Sequence, residues 1–138
     1  LGLLLTMFMA GLALGAASIA RLAARRPPSP VVGAAALLAL AALNLLVTWL
    51  VVSGAPLGLI ATSLLLLGCG FLVAAVFAWA GLRRRVDQRT VISPLYAADL
   101  IGGALGSLIA CLILIPLAGI AASAALAGVL ALAALLAV

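Results

Sequence analysis

Long apolar runs, each ended by a few charged or helix-breaking residues, set the pattern of this chain. A hydrocarbon core of about 30 Å is crossed by about 20 apolar residues in a helix, so runs of this length predict membrane-spanning helices. The first covers residues 1–20 and stops at Arg21. From Arg21 to Pro30, with Arg25, Arg26, Pro27 and Pro28, the chain reads as a helix-ending loop. The second run covers 31–52 and ends at Ser53, Gly54, Ala55 and Pro56, a tight turn. The third covers 57–81 and gives way after Gly81 to Arg83, Arg84 and Arg85. Ser93 followed by Pro94 reads as an N-cap with proline at the first helical position, which predicts a fourth helix over 94–115. Pro116 and Gly119 then read as a short turn into a fifth run, 119–138. Strands of a membrane barrel would alternate apolar and polar residues over about ten positions, and these runs do not. The expected fold class is all-α: a polytopic transmembrane helix bundle of about five spans, forming a single domain over residues 1–138.

The cations orient that bundle. All seven arginines lie after the first and third runs, and lysine is absent. Two spans separate these stretches, so both fall on one side of the membrane, and the excess of arginine places that side in the cytoplasm. Leu1 then starts near the outer face and Val138 ends near the inner one. Trp49 is expected near the outer boundary, with Trp79 and Tyr96 near the inner one, where aromatic rings gather at the headgroup level.

Composition narrows the class further. Hydrophobic residues make up 70% of the 138 and charged residues 7%, with a mean hydropathy of +1.56, too few polar groups to coat a water-soluble domain. The Ala- and Leu-rich, lysine-free composition reads as a GC-rich bacterial genome, and hence a multi-pass protein of the bacterial inner membrane. A net charge of +5 borne beside apolar runs points to membrane loops and not to a nucleic-acid partner. Arg83, Arg84, Arg85 and Arg89 form a basic loop around Asp87, expected to set topology and to meet anionic lipid headgroups. There is no histidine, and Cys69 and Cys111 both sit inside apolar runs as small packing residues, so triad hydrolysis, a metal centre and a disulfide framework are not expected. Gly68-Cys69-Gly70 lies mid-run and is not a phosphate loop. Catalytic, cofactor and metal residues are therefore none. Leu1 and Val138 both stand inside apolar runs, so the chain is expected to be a piece of a longer protein; no charged region and cleavage site mark Leu1 as the start of a signal peptide.

What the sequence offers instead is packing chemistry. Gly11 and Gly15 stand four apart on the first helix, and Gly102 and Gly106 repeat the spacing on the fourth, with Gly103 and Ala110 widening the stripe. Small residues at this spacing let helix backbones approach closely, which is what favours association in lipid. The strings at 11–16 and 102–107 resemble each other on helices of opposite direction, a faint echo of an inverted repeat. Asp99 is the single acid within an apolar run, roughly 7–8 Å from the start of its helix at ~1.5 Å per residue. It shares a face with Tyr96, Gly103 and Gly106, and a carboxylate at that depth needs to pair, snorkel or protonate. A structural pairing with Arg21 is the expected solution, a proton or cation site the other one. Asn44, Thr48, Thr62 and Ser63 are expected to hydrogen-bond to helix carbonyls or between helices.

The stretch from Pro94 through Tyr96-Ala97-Ala98-Asp99-Leu100-Ile101-Gly102-Gly103 to Ser107, and on to Ile115-Pro116-Leu117-Ala118-Gly119, resembles the membrane portion of spermidine synthase-like proteins. Phe8-Met9-Ala10-Gly11-Leu12-Ala13-Leu14-Gly15, leading to Arg21, Arg25 and Arg26, resembles an earlier helix of the same region and also the second helix and basic loop of major facilitator transporters. The third run departs from the pattern: a proline is expected after Phe71, and Val73-Ala74-Ala75 stands there. The family's aminopropyltransferase domain, which holds a polyamine with several carboxylates, has no counterpart among two acids, Asp87 and Asp99. The resemblance implies a membrane scaffold or anchor, or a small structural subunit of a larger membrane complex, with a protein partner or further soluble domain. The alternative is a partial facilitator-like bundle moving a small organic solute past Asn44 and Asp99.

Overall fold

The computed structural model describes residues 2–25, 29–83 and 88–136, and side chains throughout these except at residues 83 and 88–96. Among the described residues every regular element is helical: α1 (Gly2–Arg25), α2 (Pro30–Val52), α3 (Leu59–Arg83), α4 (Gln88–Ile109) and α5 (Ile115–Leu135), with a π-helical turn at Ala110–Leu114 joining the last two. Four stretches are long and apolar enough to cross a membrane: Gly2–Arg25, Pro30–Val52, Leu59–Leu82 and Ala97–Leu135.

Local chemistry explains most boundaries. Ser29 is extended (φ −86°, ψ 150°) and α2 opens on Pro30, whose missing N–H falls in the first turn, where it has no intrahelical acceptor to lose. At the other end Gly54 takes φ +63°, a left-handed value that glycine adopts without penalty. The Ala55 amide there donates to the Leu50 carbonyl and the Gly54 amide to Val51, both at 3.2 Å, so the helix stops in a Schellman turn ahead of Pro56. The first helix runs past its apolar segment to Arg25, because Arg21 to Arg25 are all good helix formers.

Two sequence-based boundaries are corrected. α4 begins at Gln88, so Ser93 and Pro94 lie inside it and are neither cap nor first residue. Nor is there a loop at Pro116. The helix continues through it, and the π turn directly before it lets the Ile115 amide donate to the Ala110 carbonyl, five residues back. That wider register sits where proline removes a donor and crowds the preceding turn. The chain breaks at the other residue of the expected turn, Gly119, with φ +82° and ψ 172°. Ala97–Leu135 has 39 residues. As one straight helix it would reach ~58 Å, about twice the hydrocarbon thickness, and the break at Gly119 falls within it.

The helices stand in a row. α3 lies between α1 and α2, and α5 lies along the far side of α2, while α1 touches neither α2 nor α5. Among the described residues α4 meets α3 only slightly and does not fold back on α5. The buried residues are accordingly few and mostly small, including Gly11, Gly15, Gly33, Ala41, Gly70, Ala75, Gly128 and Ala131, with Leu37 and Trp79 the large exceptions, while most described Leu and Ile side chains are partly or fully exposed. Lipid accepts an apolar side chain as readily as a neighbouring helix does, so the interfaces go to residues that let backbones approach.

Candidate functional site

The closest interface joins α1 to α3. A methyl group on Gly11 would lie 3.0 Å from the Phe71 amide nitrogen and nearer still to the Leu67 carbonyl oxygen. One on Gly15 would lie 3.0 Å from Phe71 Cα and nearer to its carbonyl oxygen. From the other side, a methyl on Gly70 would meet the Leu12 nitrogen at 3.2 Å and press on the Phe8 carbonyl. Three glycines from two helices thus interleave. Gly11 and Gly15 follow from their spacing; Gly70 is missed, although Gly70 and Ala74 are themselves a small pair four apart.

α2 and α3 are pinned at one end by Trp79. Its ring is 5% exposed and covers Gly33, where an added methyl would sit 2.6 Å from Cδ2 and closer to the six-membered ring. The indole Nε1–H donates to the Ser29 carbonyl at 2.9 Å, tying the end of α3 to the residue that opens α2. Trp79 is therefore a buried strut, whereas Trp49, 63% exposed, keeps the outward position expected of an interfacial ring. On the far side α2 meets α5 where Gly128 faces Asn44 Cβ and the Ala41 carbonyl, 3.4 and 3.6 Å from the position a methyl would take.

The polar side chains within these helices satisfy themselves locally. Asn44 donates to the Leu40 carbonyl at 2.8 Å, Thr48 to Asn44 at 2.9 Å, Thr62 to Gly58 at 3.2 Å and Ser63 to Leu59 at 2.8 Å. Among the described residues no buried side-chain nitrogen or oxygen lacks a partner, and no three His, Cys, Asp or Glu side chains gather to hold a metal ion.

α4 is different. Asp99 is exposed, and nothing lies within 4 Å of a methyl built on Gly102, Gly103 or Gly106. The expected pairing of Asp99 with Arg21 is not formed: among the described residues α1 and α4 do not touch, and both Asp99 and Arg21 are exposed. The two glycine stripes, alike in sequence, therefore have different fates. One is filled by α3, and among the described residues the other has no neighbouring helix against it. Asn44 and Asp99, the two polar positions of a solute path, stand on helices that do not meet. Arg26, Arg84, Arg85 and Asp87 lie outside the described residues, as do the side chains of Arg83, Arg89 and Tyr96. No family model, curated protein or solved structure matches the chain.

Proposed function

We propose that this chain is a membrane-embedded scaffold, either the anchor of a spermidine synthase-like protein or a structural subunit of a larger membrane complex. The observation that carries the reading is the contrast between the stripes: Gly11 and Gly15 are packed against α3, whereas Gly102, Gly103 and Gly106 form an equally smooth face with Asp99 beside it and, among the described residues, no helix against it. A lone carboxylate on a lipid-facing helix is costly, and a partner helix would relieve that cost while filling the glycine face. In this reading the arginine loops are cytoplasmic, the membrane is the bacterial inner one, and α4 and α5 form separate spans divided at Gly119, giving five. Arg83, Arg84, Arg85 and Arg89 meet anionic headgroups at the inner surface. The carrier alternative has less support, since Asn44 and Asp99 do not share an interface.

Intact mass measurement of the assembly, gently extracted from its native membrane, tests the scaffold reading. The expected result is the chain within a heavier polypeptide or with stoichiometric companions. A homogeneous, isolated species near 13.6 kDa would overturn it.

A further inference from the structure

Ser18, Arg21, Leu22 and Arg25 line an open groove of about 320 Å³ on α1. They stand at i, i+3, i+4 and i+7, so they share one helical face. Both arginines are exposed. Among the described residues only α3 touches α1, none of the described side chains of α3 is acidic, and Asp99 on α4 does not reach α1. The Ser18 hydroxyl is spent on the Leu14 carbonyl at 2.7 Å, so the donors left in the groove are the two guanidinium groups. These cations stand one turn apart where α1 leaves its apolar run, the level at which a helix meets lipid headgroups. Leu14 continues the same face into the apolar run and is 54% exposed. It lies ~10 Å along the helix from Arg21, within one leaflet's share of a core about 30 Å thick.

We infer that this groove is a discrete binding site for an anionic phospholipid. Arg21 and Arg25 hold the phosphate oxygens, for which the planar guanidinium is well matched, and an acyl chain runs over Leu22 and Leu14. The inference rests on the membrane reading but not on any protein partner, and it places a lipid on a different segment from the one that carries Arg83, Arg84, Arg85 and Arg89.

The test is native mass spectrometry of the full chain in detergent, titrated with phosphatidylglycerol or with phosphatidylcholine of the same acyl chains. Wild type is expected to retain one phosphatidylglycerol under conditions that strip phosphatidylcholine. Arg21→Gln with Arg25→Gln should weaken retention about thirty-fold, about five-fold for each basic side chain lost near an anionic surface. Lysine at both positions should restore most of it, and glutamine at Arg83, Arg84, Arg85 and Arg89 should leave it in place. Equal retention of both lipids by wild type overturns the site without recourse to any variant, as does unchanged retention by the double glutamine variant. Displacement of the lipid by equimolar inorganic phosphate would overturn the lipid assignment in favour of the free anion. Resistance of the chain to alkaline carbonate extraction from membranes reports separately whether it spans the bilayer, so the two failures are distinguishable.

Discussion

Placing a methyl group on Gly15 and the same group on Gly102 separates backbone packing from helix propensity. Each substitution to alanine adds one carbon to the middle of an apolar helix, and each gains up to about 1 kcal/mol of intrinsic helix preference. At Gly15 the new carbon would land 3.0 Å from Phe71 Cα and closer to its carbonyl oxygen, which is backbone and cannot rotate away. α1 and α3 must separate locally, an overpacking that costs about 1–3 kcal/mol. At Gly102 the carbon meets nothing within 4 Å, so only the helix preference remains. Gly15→Ala should therefore lie about 1–3 kcal/mol below Gly102→Ala in stability, whatever the absolute scale in detergent. Reversible unfolding by increasing mole fraction of sodium dodecyl sulfate in mixed micelles, followed by circular dichroism, gives both values under one condition. Equal midpoints for the two variants would refute the close α1–α3 interface.

Three more outcomes follow from the geometry. Trp79→Phe should lose about 0.5–1.5 kcal/mol with its hydrogen bond to Ser29, while Trp49→Phe should be near neutral; acrylamide should quench the lone Trp49 of the first variant more strongly than the lone Trp79 of the second. Gly119→Ala forces a side chain into φ +82°, which glycine alone adopts easily, and should cost about 1–3 kcal/mol in the same titration; a neutral result would remove the break at Gly119. Cys111 is exposed and Cys69 half-buried, so a membrane-permeant maleimide should label Cys111 first, as single-cysteine variants would report.

How much of this was legible in the sequence depended on whether a residue's role was local. The stop of α2 could be read from Ser53 to Pro56 because glycine and proline act on their own backbone. The start of α4 could not, because Ser93-Pro94 has the form of a cap, yet helix continues back to Gln88. Of the expected turn at Pro116 and Gly119 only the glycine end is a break: the π turn before Pro116 accommodates the proline, and the helix is interrupted at Gly119. The order of the row, α1, α3, α2, α5, was not legible at all. In lipid the inward and outward faces are equally apolar, so hydropathy does not say which helix meets which, and only small-residue stripes carry that information. At Gly11 and Gly15 they mark a packing face, and the helix that fills it, α3, is known only from the structure. The same signal at Gly102 and Gly106 marked a smooth face without saying whose helix covers it. Trp79 escaped because an aromatic near a helix end reads as an interfacial ring, and its burial depends on Gly33, a residue 46 positions away on another helix.

The central claim is that α4 presents its glycine face to something outside this chain. A photo-crosslinking amino acid at Ile109, beside Gly106 and 48% exposed, tests it in native membranes against the same group at Leu64 on α3, which is 62% exposed. Position 109 is expected to give one discrete, stoichiometric protein adduct and position 64 only lipid adducts. Lipid adducts alone from both positions would contradict it.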